Sequence, residues 1–369
     1  MCLFRALWRD FLFMKMSKEL LLIPMWMLSA CGKGPSTIFP VDAPTETRLP
    51  ATASPTPPIT PAPSSTPKPE NVSSPAHPGR CPNLGQRADD FLVIGYLPDY
   101  RPLEPSWGSC LTDLIYFSAE PLADGTLDTH RLSPETLRIM REVKARYGTR
   151  IHISIGGYDR SDHFAEMVAN QQARMEFINH VVRFCQQYDL DGVDFDWEFP
   201  QGSSETRAYA SLMSEIRGRG LIVSVALSPR DELAFKYYAV ADRIHVMSYD
   251  RGAQHATFEQ AVLDLALFED GGIPKEKLIL GIPFYGRRTT YPTTSFAYAE
   301  IVEQHDPLPG VDEIEGVFFN GMVTVKHKTC HAHAGGYGGV MIWELGQDSM
   351  DETSLLRAIH EAANLGCGP

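Results

Sequence analysis

Residues 191–198 have the sequence Asp191-Gly192-Val193-Asp194-Phe195-Asp196-Trp197-Glu198. Because side chains alternate between the two faces of a β-strand, this stretch predicts a strand with Asp194, Asp196 and Glu198 on one face. The apolar residues between them would share the other face, which suits packing against helices. The stretch therefore predicts a strand whose acidic face points into the protein.

Three carboxylates on one interior face carry a free-energy cost, because like charges at short range cannot all ionise and must share protons. A glycosidase needs such a group, since a carboxylic acid that stays protonated near neutral pH protonates the leaving oxygen. Glu198 lies nearest the carboxyl end and is our candidate proton donor. The alternatives are a solvated acidic edge strand, which the apolar opposite face disfavours, and a divalent-metal site, which the absence of histidine from this strand disfavours.

Seven other β-rich apolar runs accompany this stretch, and helical patterns separate most of them. With that stretch included, the eight runs in chain order are Phe91–Tyr96, Leu111–Ser118, Ile151–Gly156, Gly192–Glu198, Leu221–Ser228, Ile244–Tyr249, Leu278–Phe284 and Gly339–Leu345. This alternation over residues 81–369 predicts an α/β fold, a (β/α)8 TIM barrel with its active site at the carboxyl ends of the strands. A doubly wound sheet is the alternative, but the Gly-rich phosphate loop expected after its first strand is missing from the sequence.

Local signals set some helix boundaries. Ser133 and Pro134 form a typical N-cap and first turn, and Gly148 is suited to end the same helix. The gap between Leu97 and Cys110 is short, so we expect the first helix of the barrel to be stunted or missing.

The stretch Asp191–Glu198 resembles the DxxDxDxE signature of glycoside hydrolase family 18, the chitinases and their relatives. Further motifs similar to those of the family follow on the third, sixth, seventh and eighth predicted strands: Ser154–Gly157, Met247–Asp250, Leu280–Arg287 and Gly338–Leu345. The resemblance covers roughly Phe91 to Leu365, and five motifs in the right order are far more specific than any one of them.

The resemblance implies hydrolysis with retention of configuration, in which the substrate's own N-acetyl carbonyl attacks the anomeric carbon. Glu198 would donate the proton and later activate water. Asp196 would orient the acetamido group, and Asp194 would tune the protonation of Asp196. Tyr249 would hydrogen-bond the acetamido oxygen, and Asp250 would help hold the sugar.

The resemblance also assigns residues around the reacting group. Trp343 would form the floor under the distorted sugar ring, since indole is flat and apolar. The other residues expected to line the cleft are Tyr96, Met247, Tyr285 and Arg287, and those expected to support the motifs are Asp191, Gly156 and Gly157. Trp107, Tyr158 and Phe199 are either sugar platforms or loop packing, and the sequence leaves this open.

The expected substrate is a glycan with β-1,4-linked N-acetylglucosamine, chitin or its oligosaccharides first. N-glycan cores and peptidoglycan are alternatives, and a non-catalytic carbohydrate-binding protein is the alternative from another class. The presence of both Asp196 and Glu198 favours the enzyme. A formal net charge of -13 disfavours nucleic acid as a partner. We expect a monomer without metal or organic cofactor, and we interpret His331 and His333 as residues of a surface loop.

Only residues 288–337 separate the seventh and eighth predicted strands. Deep-cleft members of the family have a small extra domain at this point, and this segment is too short for a full one. The resemblance thus implies a single catalytic domain with a shallow, open cleft that favours cleavage inside chains.

The first 80 residues differ from the rest. Leu20–Leu28 is an apolar run too short to span a bilayer, and it fits a secretory signal over residues 1–31. Its end, Leu28-Ser29-Ala30-Cys31, resembles a bacterial lipobox, which makes Cys31 the expected lipidation site and the lipid the only membrane contact. The alternative is an ordinary signal peptide that leads to secretion of the protein. The mass of the mature amino terminus distinguishes a lipid-anchored protein from a secreted one.

Residues 32–80 contain 13 of the 28 prolines and are predicted to be a disordered linker.

Five cysteines remain outside the predicted signal, and their compartment permits disulfides. Cys185 lies among apolar residues at helical spacing and is predicted to be a buried thiol. Cys81 and Cys367 flank the predicted domain, and a bridge between them is a hypothesis. The pairing of Cys110 and Cys330 stays open.

Overall fold

The computed structural model of the protein describes Cys81, residues 90–230 and residues 235–365. The predicted signal with Cys31, the predicted linker and Cys367 lie outside these residues.

A closed parallel barrel forms the centre of the part of the chain that the structure describes. Its eight strands in chain order are β1 (Leu92–Pro98), β2 (Asp113–Pro121), β3 (Arg150–Gly156), β4 (Gly192–Asp196), β5 (Ile222–Leu227), β6 (Arg243–Val246), β7 (Leu278–Pro283) and β8 (Gly339–Trp343). Each strand pairs in parallel with the next one along the chain, and β8 pairs with β1 to close the sheet. The predicted (β/α)8 barrel is confirmed.

Helices surround the barrel. In the described part of the chain they are α1 (Pro134–Tyr147), α2 (Phe164–Ala169), α3 (Gln171–Tyr188), α4 (Gly202–Arg217), α5 (Phe235–Tyr238), α6 (Phe258–Asp270), α7 (Tyr298–His305), α8 (Met322–Ala334) and α9 (Leu355–Leu365). Ser133 caps α1 by accepting a hydrogen bond from the Thr136 amide, and Gly148 ends it with a φ of 76°. A short 3-10 turn, Pro105–Ser109, stands where the first barrel helix would be, as predicted. Among the described helices, none has the length and apolar character needed to cross a membrane.

The chain between β7 and β8 is more than a connecting loop. It adds a four-stranded antiparallel sheet, beside which α7 lies before α8 returns to the barrel. The strands of this sheet are Tyr285–Arg288, Ser295–Ala297, Glu313–Ile314 and Val317–Phe318. One further short strand, Leu127–Asp128, pairs with the end of β2. The insertion is small, in keeping with the length of the segment, but it is folded, and it stands at the carboxyl end of β7.

The hydrophobic core has two layers. The larger lies between the strands and the helices and includes Val193, Phe195 and Trp197 from β4 and the residue after it. The smaller fills the inside of the barrel and includes Tyr96, Phe117 and neighbours from β1, β2, β7 and β8. The predicted division of β4 into an apolar outer face and an acidic inner face is therefore confirmed.

A buried ion cluster closes the amino-terminal end of the barrel. Asp113 is fully buried, and its carboxylate accepts hydrogen bonds of 2.8 Å from Arg150 and Arg243 and lies 2.8 Å from Nε2 of His152. Burial alone would raise the pKa of Asp113, but the bonds to Arg150 and His152 outweigh it, and the pKa lies well below its ordinary value. Ion pairs to Asp113 therefore hold this end of the barrel together, and none of the predicted catalytic carboxylates lies there.

The hypothesis of a bridge between Cys81 and Cys367 is wrong. Cys81 is bonded to Cys110, with a Cα–Cα distance of 5.3 Å. The amide of Cys81 also donates to Ser109 Oγ at 2.9 Å, so the start of the domain is fixed to the 3-10 turn before β2. Cys330 is disulfide-bonded as well. Cys185 is a buried free thiol, as predicted, and burial raises its pKa to about 12.

Candidate active site

Asp194 lies inside the barrel and is completely buried. Its Oδ2 accepts hydrogen bonds from Tyr96 Oη at 2.8 Å and Ser154 Oγ at 2.9 Å. Its Oδ1 accepts one from Ser224 Oγ at 2.6 Å and lies 3.2 Å from Nδ1 of His245. Burial alone would raise the pKa of Asp194, but His245 and the hydroxyl donors outweigh it, and the pKa falls below its ordinary value. Asp194 is therefore held as an anion.

Asp196, one pleat further along, is 5% exposed and has the opposite character. Burial, followed by repulsion from Glu198 and Asp194, holds the pKa of Asp196 well above its ordinary value. Its Oδ1 has no hydrogen-bond partner among the described residues. Neighbouring acids with pKa values driven apart are typical of sites that move protons.

Glu198 follows the end of β4 and is half-buried. Its amide donates to Ser161 Oγ at 3.1 Å, and this hydroxyl also contacts the carbonyl oxygens of Asp196 and Gly157. The amide of Gly157 donates to the Asp196 carbonyl at 2.6 Å. The loop after β3 thus fixes the backbone that carries both acids.

The Gly156-Gly157 pair makes this approach possible. The two residues have φ values of 100° and 111°, which side-chain-bearing residues rarely adopt. A Cβ at Gly156 would lie 2.3 Å from the Asp196 carbonyl oxygen, and one at Gly157 would lie 2.2 Å from the Phe117 ring. The two glycines therefore do more than allow the chain to turn. Because they lack a Cβ, the Asp196 backbone and the Phe117 ring can pack directly against them.

Trp343 ends β8 and is half-buried. Its ring meets Phe117 edge-on at 4.8 Å and Tyr96 at 5.6 Å between centroids. Met247 and Tyr249 pack on the same inner cluster. These contacts give Trp343 a fixed orientation next to the acidic face.

Tyr249 and Asp250 follow β6. Burial, followed by the charges of Asp196 and Asp250, raises the pKa of Tyr249 well above its ordinary value, so its hydroxyl stays protonated and can donate. Asp250 is partly exposed, and its Oδ1 accepts hydrogen bonds from Tyr285 Oη and Arg287 Nη1, both at 2.8 Å. Burial alone would raise the pKa of Asp250, but His255, Tyr285 and Arg287 outweigh it and lower the pKa.

The structure brings most of the predicted residues together at the carboxyl ends of the strands, but two of them are covered. Tyr96, expected on the cleft wall, is 2% exposed and lies beneath Asp194, because its strand position points into the barrel. Tyr285 is 6% exposed and contacts Asp250. Asp191 lies at the opposite end of the barrel, where its carboxylate accepts from the Ile151 amide at 2.8 Å, a supporting position.

The aromatic residues left open by the sequence divide into two groups. Trp107 is buried in the core, whereas Tyr158 and Phe199, after β3 and β4, are 75% and 41% exposed. The expected surface loop with His331 and His333 is wrong, because both lie on α8 and their rings pack against Phe258 and Phe91. Within the described residues, no group of three His, Cys, Asp or Glu side chains is placed to hold a metal ion.

Two residues around Asp194, Ser224 and His245, were missed from the sequence, and Ser154 was noted only as part of a motif. Ser154 and Ser224 are its direct neighbours in the strand register, and His245 lies one strand further. A polar residue at the inward position of each neighbouring strand is a usable signal once the register is known. Ser161 and His255 lie in loops and leave no such signal.

Comparison with known proteins gives one family. The model of Glycosyl hydrolases family 18 matches residues 94–348. Probable chitinase 10 of Drosophila melanogaster is 26% identical, over 60% of this chain and 13% of that protein. Endochitinase of Manduca sexta is 33% identical over 37% of this chain and 32% of its own length. The chain therefore spans a third or less of these curated relatives.

The similarity to solved structures covers nearly the whole length of the solved chains. A chitinase from Bacteroides thetaiotaomicron has a TM-score of 0.67 and 25% identity, covering 73% of this chain and 96% of its own. A family 18 chitinase from the chitin utilization locus of Flavobacterium johnsoniae has a TM-score of 0.64 and 28% identity, covering 74% and 94%.

Proposed function

The chain belongs to glycosyl hydrolases family 18, and we propose that it hydrolyses β-1,4 bonds of N-acetylglucosamine-containing glycans, with chitin or chitin oligosaccharides as substrate. The observation that carries the proposal is the unequal pair of aspartates beneath Glu198. Asp194 is held as an anion, and Asp196 has a raised pKa. This arrangement suits a reaction in which the substrate supplies the nucleophile and the protein stabilises the charge that develops on it.

In the first step, Glu198 gives its proton to the glycosidic oxygen. The acetamido carbonyl oxygen forms a bond to the anomeric carbon as the bond to the leaving sugar breaks. Asp196 turns to the acetamido N–H and stabilises the positive charge of the cyclic intermediate. To do so, Asp196 gives its proton to the anionic Asp194, which is in contact with His245 and Tyr96, and it takes the proton back once the product has left.

In the second step, water attacks the anomeric carbon and Glu198 takes its proton. The bond to the acetamido oxygen breaks, and the sugar leaves with its configuration retained. Tyr249 donates a hydrogen bond from its hydroxyl to the acetamido oxygen, Trp343 lies under the ring, and Asp250 binds a sugar hydroxyl. These roles agree with the raised pKa of Tyr249 and the fixed contacts of Trp343.

Glu198→Gln tests the central role. The amide cannot donate an acidic proton, so we expect hydrolysis of chitin oligomers to fall by a factor of about 10² to 10⁴ while binding persists. Hydrolysis is measured by chromatography of the products, and binding by calorimetry. Glu166→Gln, on the exposed side of α2, is the matched control and should leave the rate unchanged. Full activity of Glu198→Gln would exclude Glu198 as the proton donor.

A panel of substrates tests the glycan. The wild-type protein is given chitin oligomers, a high-mannose glycopeptide and purified peptidoglycan at equal concentration. We expect turnover of chitin oligomers to be fastest. Faster turnover of either other substrate reassigns the glycan within the same chemistry, and binding without turnover of any of the three assigns the chain to the non-catalytic carbohydrate binders.

A further inference from the structure

The carboxylate of Asp250 is approached from one side only. Tyr285 Oη and Arg287 Nη1 both lie 2.8 Å from Oδ1, and His255 Nδ1 lies 3.5 Å from the same oxygen. Among the described residues, Oδ2 has no hydrogen-bond partner. The backbone of Asp250 is in the left-handed region, with a φ of 62°. The contacts at Oδ1 thus fix the orientation of the carboxylate, and Oδ2 remains available to a ligand.

His255 belongs to none of the family motifs identified in the sequence. It is 1% exposed, its ring stacks on Tyr285 at 5.1 Å with an interplanar angle of 28°, and its edge meets Phe318. Both ring nitrogens are buried and neither makes a hydrogen bond to the described residues, so that Nδ1 has only its 3.5 Å contact with the Asp250 carboxylate. A buried imidazole without full hydrogen bonding carries a free-energy cost. The contact with Asp250 is its one charged contact in the described structure.

The inserted sheet and α8 hold this histidine in place. The carbonyl of the next residue, Ala256, accepts hydrogen bonds from Lys328 Nζ and Asn320 Nδ2, both at 2.8 Å. Lys328 is completely buried and also donates to Asn320 Oδ1 at 2.8 Å. Gln254, on the other side of His255, donates to Glu313 in the insertion at 3.3 Å. The loop that carries His255 is therefore fixed from outside the barrel.

We propose that His255 is a positioning residue for Asp250, held by the insertion so that the Asp250 carboxylate presents Oδ2 to a sugar hydroxyl. The inference rests on the proposed function, because it specifies how the sugar-binding carboxylate is oriented. It also assigns a purpose to the small sheet after β7: the sheet supports the substrate side of β6 through His255.

His255→Phe tests the proposal, because phenylalanine keeps the stacking on Tyr285 and removes Nδ1. Asp250 is expected to contact the sugar equally in the ground and transition states, so its misplacement raises KM more than it lowers kcat. We expect KM for chitin tetramer to rise about tenfold while kcat changes by less than about twofold. His255→Asn keeps a donor near the Nδ1 position and should recover most of the affinity.

His331→Phe, a half-buried histidine of α8 that also contacts aromatic rings, is the matched control and should leave KM unchanged. Thermal unfolding of each variant separates loss of affinity from loss of fold. The proposal is overturned if His255→Phe has the wild-type KM, or if His255→Asn is as impaired as His255→Phe.

A titration of the Asp250 carboxyl by NMR decides the matter independently of substrate. Tyr249, Tyr285 and Arg287 face the Asp250 carboxylate, and Arg230 contacts its backbone carbonyl. The titratable groups around the His255 loop include Arg251 with its partner Asp264, Glu313 and Lys328. Because His255 lowers the pKa of Asp250, this pKa should rise in His255→Phe and stay near wild type in His255→Asn. An unchanged pKa contradicts the proposal. If wild-type protein neither cleaves nor binds chitin oligomers, the proposed function fails, and the titration still tests the His255–Asp250 contact.

Discussion

Asp194 and Asp196 are the same residue type, two positions apart on one strand, and yet they differ in protonation. Both are buried, and burial alone would raise the pKa of each. Asp194 has hydroxyl donors and His245 around it, whereas Asp196 faces two other carboxylates. Since each hydrogen bond to an anion favours ionisation and each nearby negative charge opposes it, the surroundings decide which acid holds the proton.

A second buried carboxylate, Asp113, is expected to stabilise the fold and not the reaction. Asp113→Asn leaves Arg150 and Arg243 without their counter-charge, and we expect the free energy of unfolding at pH 7 to fall by about 3 to 5 kcal/mol. Because the pKa of Asp113 is lowered on folding, its contribution is complete above the unfolded value of about 3.9 and is lost progressively as the pH falls from there through the folded pKa, which lies well below it.

Urea unfolding of wild type and Asp113→Asn between pH 7 and pH 2 measures both effects, and the difference between the two curves should narrow steadily below about pH 4. Glu135→Gln, which breaks an exposed ion pair on α1, is the control and should change little. A constant difference between the curves would show that the charge of Asp113 is not the cause.

At the scale of elements, the loop after β3 and the end of β4 work as one unit. Their contact is backbone to backbone, from the Gly157 amide to the Asp196 carbonyl. The sequence shows the glycines but does not show what lies against them, since Phe117 comes from β2 and the carbonyl from β4.

Gly157→Ala tests this contact. An alanine at a φ of 111° is strained, and its Cβ would displace the Phe117 ring, so we expect a loss of about 1 to 3 kcal/mol of stability. Because Phe117 supports Trp343, turnover should also fall by at least about tenfold. Activity and urea unfolding are measured together.

Gly148→Ala is the matched control for that loop. Gly148 also has a positive φ, at 76°, but nothing lies within 4 Å of a Cβ there. It should lose a similar amount of stability and keep its turnover. Equal losses of turnover in both variants would show that backbone strain alone, without displacement of Phe117, explains the effect.

At the scale of the molecule, the barrel has a small inserted sheet on one side of the site and two exposed aromatic side chains, Tyr158 and Phe199, on another. From the short segment between β7 and β8 we predict an open cleft that accepts the middle of a chain. The viscosity of a soluble chitin derivative should therefore fall well before many reducing ends appear. Viscometry and reducing-sugar assays on one sample, with Glu198→Gln as blank, check this. Release of dimers alone, at constant viscosity, would contradict the prediction.

The sequence by itself determined the barrel, the order of its strands and the acidic face of β4. These follow from alternation along single strands and from motifs whose residues are adjacent in the chain, so no long-range contact has to be known. Ser133 and Gly148 predicted both ends of α1 for the same reason, because capping is local.

Only the tertiary structure decided the partner of Cys81, the covered position of Tyr96, the ionised state of Asp194 and the approach of His255 to Asp250. Each depends on residues that are far apart in the chain and are brought together by strand register or by an inserted sheet. Spacing along the sequence carries no information about such distances. The physical reason is that burial and hydrogen bonding, which set these properties, exist only once the barrel has closed.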